Sequence, residues 1–288
     1  MMNDQAKHLR HMLENNSINR SGHTIAIVSG KGGVGKSNIA VNFSLELIAR
    51  NHSVLLVDLD VGMGNIDILL GLTANKTIAD LINQRLLIED IIEIGPNNIA
   101  YIAGGSGINQ IFSLTKDDAN YFLKEYEKIQ HLYDYIIFDI GAGVSSDSMF
   151  FILASDECFV VTTPEPTSIT DAYGIIKHIV KLNNETPIYL IMNRISSLKQ
   201  GKQSMMRFQK VVKQFLNVQV HALGFLLYDQ MVTRAVINQV PLQITHKRSL
   251  MAEGIQQMTD HYLTQRTSDN LNYTPTFIQR FKLFLSRR

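Results

Sequence analysis

A chain of 288 residues with 45 % hydrophobic side chains can bury a substantial core, and α/β folds of this length are commonly single domains. Its 27 basic and 26 acidic residues create no overall field to attract nucleic acid, so no nucleic-acid partner is expected and charge-driven binding needs a local cluster. The single cysteine, Cys158 in "ECFVV", excludes a disulfide framework and a paired-cysteine metal site and reads as a small buried hydrophobe.

Residues 1–22 precede any regular pattern, contain no apolar leader stretch and end in the polar "NNSINRSGH". From Thr24 onward, "TIAIVS", "SVLLVD", "DYIIFDI", "CFVVTT", "PIYLIMN" and "VHALGFLL" alternate with helix-like amphipathic segments. Continuous apolar strands separated by helices predict an α/β fold with a mostly parallel, doubly wound sheet covered on both faces. Ligands are then expected at the carboxyl ends of the strands.

The first strand runs into "SGKGGVGKS", in which Gly30, Gly35, Lys36 and Ser37 complete a phosphate-binding pattern that opens a helix. Backbone amides from Gly30, Gly32, Gly33, Val34, Gly35, Lys36, Ser37 and Asn38 are placed to surround phosphate oxygens. Lys36 would neutralise them and the Ser37 hydroxyl could ligate Mg²⁺. Lys31 is surplus to the pattern.

After the second strand, "LLVDLDVGMGNID" carries Asp58, Asp60 and Asp67. Extended spacing puts Asp58 and Asp60 on one side, where either could approach Mg²⁺ or orient a water. "YIIFDIGAG" ends a strand on Asp139, the carboxylate expected for a Mg²⁺ site, and Gly141 and Gly143 would let the backbone approach a γ-phosphate.

Residues 23–264 thus form the expected catalytic domain, and the polar "QRTSDNLNYTPT" at 265–276 reads as a linker. The final segment, 277–288, sets Phe277, Phe281 and Phe284 on one helical stripe with Ile278 and Leu285 beside them. Arg280, Lys282, Arg287 and Arg288 surround that stripe, the pattern of a helix lying on an anionic membrane. The plainer alternative is a last helix packed on the core. No run of about 18 apolar residues exists to span a bilayer.

"KGGVGKS", "VDLDVGMGNIDILLG" and "FDIGAG" resemble the deviant Walker A motif and the two switches of the MinD and ParA class of P-loop ATPases, over roughly Thr24 to Gln256. The resemblance implies an ATP- and Mg²⁺-dependent homodimer in which Lys31 reaches the partner subunit's phosphates and Lys36 its own. It further implies that Asp60 orients the attacking water, Ser37 and Asp139 hold the Mg²⁺ shell, and Asn193 and Arg194 of "MNR" meet the adenine. "AVINQVPL", at 235–242, is similar to the class's late nucleotide-flanking segment, whereas Tyr228–Gln230 departs from its usual proline-acid-aspartate. "DQAKHLR" is similar to the head of the flagellar FlhG or YlxH branch. That similarity implies an ATPase that regulates flagellar number and placement on the inner face of the cell membrane, with the FlhF GTPase and C-ring proteins as partners. Residues 1–22 would be the FlhF-activating segment, with Gln5, Leu9 and Arg10 in contact. A MinD-type division-site regulator shares the core and tail but not the head, and a ParA-type partition ATPase would need a basic DNA-facing surface. An iron–sulfur reductase of related fold would need paired cysteine ligands, which one cysteine cannot supply.

Overall fold

The six apolar runs form strands β1 (His23–Val28), β2 (Val54–Asp58), β5 (Tyr135–Asp139), β6 (Glu157–Thr162), β7 (Ile188–Ile195) and β8 (His221–Leu227). The computed structural model describes residues 21–60, 63–105, 115–143, 146–183, 185–266 and 275–286. It adds β3 (Glu93–Ile94) and β4 (Ala100–Ile102), two and three residues long, too short for an alternating pattern to announce them. The strand order is β3-β4-β2-β5-β1-β6-β7-β8, parallel throughout except at β3, which pairs antiparallel with β4.

The helices are α1 (Lys36–Ala49), α2 (Ile66–Leu70), α3 (Ile78–Gln84), α4 (Lys116–Ile129), α5 (Ser146–Ala154), α6 (Pro166–Leu182), α7 (Leu198–Leu216), α8 (Gln230–Ile237), α9 (Leu242–Thr245), α10 (Leu250–Arg266) and α11 (Phe277–Leu285). Because side chains alternate along a strand, β1 sends Ala26 and Val28 into one apolar layer and Ile25 and Ile27 into the other. The first layer is roofed by α3 to α7 and α11, the second by α1, α2 and α8 to α10. Both faces being covered explains why the central strands are apolar without alternation.

The chain leaves β1 toward β2, returns to place β5 between them, and only then moves outward through β6, β7 and β8. The crevice at this reversal, above β1 and β5, is where the glycine loop and Asp139 meet.

Helix α11 departs from the expectation of a stripe facing away from the protein. Phe277, Ile278, Phe281, Phe284 and Leu285 are all buried, in the slot between α4 and α5 under β5. Phe277 stacks on Phe138 with ring centroids 5.2 Å apart, and Phe281 meets Phe151 edge-on at 5.2 Å. Without α11 these rings, with Phe122 and Tyr126 of α4, would face water; burying a large apolar side chain stabilises by about 1.5–3 kcal/mol. Thr276 starts the helix with a capping box closed by Gln279. Arg280 is not idle at this surface: its Nε donates to the Ala154 carbonyl at 2.7 Å and its guanidinium pairs with Asp156. Arg287 and Arg288, like Gln5, Leu9 and Arg10, lie outside the described residues.

Candidate nucleotide-binding site

The loop from Ser29 to Gly35 joins the carboxyl end of β1 to α1. Gly35, left-handed at φ 94°, precedes the first turn of α1 and offers it no side-chain cap, leaving those amides available to an anion. Gly30 answers a different demand: a Cβ there would lie 2.5 Å from the Asp171 carbonyl oxygen in the backbone of α6. Gly30→Ala should therefore displace loop or helix and lower the melting midpoint by several degrees, as calorimetry can check, since overpacking costs about 1–3 kcal/mol.

At the first residue of α1, Lys36 is buried and its ammonium pairs with Asp139, also buried, at the end of β5. One Asp139 oxygen is taken by Lys36, while Oδ2 is buried with no hydrogen-bond partner. An orphaned carboxylate oxygen of this kind fits a Mg²⁺ coordination shell. Among the described residues no three His, Cys, Asp or Glu side chains cluster to hold a metal alone, so the ion would also need nucleotide oxygens and water. The Ser37 hydroxyl lies 3.4 Å from the same Lys36 ammonium.

Asp58 and Asp60 both face Asp139, as extended spacing suggested, but they meet different partners. Leu59 N–H donates to the Asp139 carbonyl, the last bond of the β2–β5 ladder, and a turn then begins at Asp60, whose carbonyl accepts from Met63 N–H. Asp58 turns into the protein, 1 % exposed, where burial and then the charge of Asp139 push its pKa up to about 7 against the opposing pull of three backbone amides. Asp60 lies over Gly141, where a Cβ would sit 2.8 Å from its Oδ1. Burial raises its pKa too; Lys36 opposes the shift and Asp139 adds to it. One carboxylate of the pair therefore faces the second switch and the other faces its own loop. Asp67 begins α2.

Lys31 stands outside the cradle. Its ammonium, with the side chain 43 % exposed, reaches Glu165 Oε2 at 3.2 Å, at the N-cap of α6, and Thr167 Oγ1 at 3.3 Å in that helix's first turn. These two partners were not singled out in the sequence; the signal for them is "TTPEPTS" at a strand's carboxyl end, where ligand loops belong. Glu165 and Arg194 also line a cleft of about 250 Å³ with Thr163, Pro164, Ser196 and Gln200.

Asn193 is already engaged with the loop: its Nδ2 donates to the Val34 carbonyl at 2.7 Å, and its Oδ1 accepts from Arg194 N–H at 2.8 Å. Asn38, in the first turn of α1, is nearly buried, while Gly32 and Gly33 face open space. Val236, Val240 and Pro241 lie beside Asn38 along a shallow cleft, so the late segment does flank the start of α1. At the divergent Tyr228–Gln230, Asp229 caps α8 and also accepts from Met251 N–H at 3.1 Å, a structural use of that acid.

The family described as "AAA domain" (AAA_31) matches residues 22–192. The chain is 32 % identical to "Antiactivator FleN" of Pseudomonas aeruginosa over 83 % of its own length and 86 % of that protein. It is 32 % identical to "Flagellum site-determining protein YlxH" of Helicobacter pylori over 89 % of both, against 27 % for the septum site-determining protein MinD of Bacillus subtilis. In fold it is similar to MinD of Pyrococcus horikoshii complexed with Mg-ADP, with a TM-score of 0.70 at 23 % identity over 86 % of this chain and all of that one. MinD of Pyrococcus furiosus superposes with a TM-score of 0.69, also at 23 % identity, over 85 % and 99 % of the two chains. A glycine loop closed by a buried lysine, two switch carboxylates around it and likeness to flagellar regulators over more than four fifths of the chain place it in the MinD and ParA class of P-loop ATPases, most like its flagellar FlhG (YlxH) branch.

Proposed function

We propose that the chain is an ATP-driven switch that sets flagellar number and placement, closing as a homodimer on ATP and acting with the FlhF GTPase and C-ring proteins at the inner face of the cell membrane. The observation that carries this reading is the division of labour between the two lysines. Lys36 is committed to the buried cradle, whereas Lys31 is held only by exposed partners at its mouth. An exposed pair of this kind is worth about 0–1 kcal/mol, so a triphosphate presented by a second copy readily outcompetes Glu165 for the ammonium. ATP binding and dimerisation then become one event.

Hydrolysis requires positioning and charge stabilisation more than covalent chemistry from the protein. Bound Mg²⁺ supplies neutralisation of charge on the phosphates. Ser37 and Asp139 would hold it; the loop amides and Lys36 bind the phosphates, and Asp60, over Gly141, orients the water. Asn193 shapes the loop from below and Arg194 edges the base.

Membrane residence follows from α11 only if the helix first leaves its slot, because the stripe that would enter lipid is the stripe that is buried. α5 begins directly after the second switch and forms one wall of that slot, so a change at Gly141–Gly143 has a short route to the tail. Two released tails on one dimer would bind a vesicle by avidity where one is marginal. Among the described residues no helix is long and apolar enough to cross a membrane. The flagellar role is supported by the names of two relatives matched over more than four fifths of the chain, and the FlhF contact by the head segment alone.

The test joins both levels. Lys31→Ala should bind ATP within a few-fold of wild type but remain monomeric by light scattering with ATP. In a flagellated host lacking its own number regulator, wild type should restore the flagellar count and Lys31→Ala should not. A variant that dimerises and restores the count would return Lys31 to a solvated loop position.

A further inference from the structure

We propose that Asp58 is the positioning residue of the hydrolytic site: its carboxylate pins the loop that carries Asp60 and is not a member of the metal shell. The proposal rests on the ATPase reading above. Asp58 ends β2 beside Asp139, in register with it on the neighbouring strand. Two buried carboxylates side by side need separate compensation, and they have it. Asp139 takes the Lys36 ammonium. Asp58 takes backbone amides alone: Oδ1 accepts from Asp60 N–H at 2.9 Å, and Oδ2 accepts from Asn65 N–H at 2.8 Å and Ile66 N–H at 3.2 Å.

These donors lie at the two ends of the turn that follows β2, so a single side chain ties its entry to its exit. The surroundings are built to the carboxylate. A Cβ at Gly64 would stand 3.0 Å from Oδ2, and one at Gly104 would stand 3.0 Å from Oδ1 and 3.1 Å from the Asp60 carbonyl oxygen. Gly64 N–H also donates to the Gly105 carbonyl at 3.2 Å, fastening the same turn to the end of β4. The pin therefore fixes where the Asp60 main chain sits over the second switch. A carboxylate that accepts three amides has both oxygens occupied in the protein, which argues against its turning outward to a hydrated ion.

Asparagine has the right shape but the wrong polarity, since its NH₂ would face an amide N–H, donor against donor. Asp58→Asn should lower kcat by about 10- to 100-fold, the loss expected when a water-orienting group is misplaced. ATP affinity and the Mg²⁺ concentration for half-maximal rate should stay within twofold of wild type. Hydrogen exchange at the amides of Asp60, Asn65 and Ile66 should accelerate, a readout that needs no hydrolysis. A raised Mg²⁺ requirement with unchanged exchange would make Asp58 a metal-shell residue; an unchanged kcat would remove it from the reaction. Gly104→Ala keeps the carboxylate and crowds it, so it should give the same signature more weakly, a kcat loss of about 5-fold at unchanged Mg²⁺ dependence. If Asp58→Asn does not fold, a wild-type kcat in Gly104→Ala overturns the pin. Absence of ATP hydrolysis by wild-type protein would instead defeat the ATPase reading, while the exchange measurement would still judge the pin.

Discussion

Asp60→Ala should retain ATP, dimerise and turn over at a rate lowered by about 10²-fold or more. On the proposed reading, contacts to the triphosphate would come from the glycine loop and from Lys36, whose pairing with Asp139 does not involve Asp60. Removing a carboxylate from beside the γ-phosphate position relieves repulsion, so affinity for ATP should hold or rise. What would be lost on the proposed reading is the acceptor that aligns a water, a contribution of about 10²–10⁴ in comparable sites. Nucleotide retained through purification and single-turnover hydrolysis measure the two effects separately. Hydrolysis at the wild-type rate would move the water-orienting role elsewhere; failure to bind ATP would make Asp60 part of the phosphate or Mg²⁺ site.

Asp156→Asn should free the tail without ATP. Asp156 joins the start of β1 to α11: Oδ2 accepts from the Thr24 N–H and hydroxyl at 2.8 and 2.7 Å, and its other oxygen faces Arg280. Burial works against its charge, but His23, Arg280 and the Thr24 amide together hold its carboxyl below the usual range. A hydrogen bond between charged groups contributes about 1.5–3 kcal/mol, so neutralising Asp156 should speed exchange of the α11 amides by about 10- to 100-fold. The substitution leaves every tail residue in place, so the variant should co-sediment with anionic vesicles in the absence of nucleotide. Unchanged exchange would show that the aromatic contacts alone hold the helix. Faster exchange without vesicle binding would count against a membrane destination for the tail.

The sequence yields the scaffold because that signal is one-dimensional. "TIAIVS", "DYIIFDI" and "CFVVTT" are apolar over their length, and a glycine loop between strand and helix has only one common use. It does not yield β3 and β4, whose pairing depends on β2 already being in place. Asp58 and Asp60 look equivalent in "VDLD", and only the turn that begins at Asp60 separates an inward carboxylate from an outward one. The tail is legible in its periodicity but not in its partner. An apolar stripe has the same spacing whether it meets lipid or Phe138, and the groove that receives it is assembled from α4, β5 and α5, far away along the chain.

That groove constrains which side chains the tail can carry over time. A lipid surface rewards bulk and greasiness with little regard for shape, so Leu, Met or Trp would serve at any stripe position. A slot in which Phe277 lies against Phe138 and Phe281 meets Phe151 edge-on has a fixed outline. Exchange for leucine there conserves partition into oil yet forfeits ring contacts and leaves a void. Half-exposed Leu283 and exposed Lys282, on the outward side of the same helix, carry no such restriction. Drift in this segment is therefore confined to one side of the helix, and a sequence that docks here is a far smaller set than one that merely binds lipid.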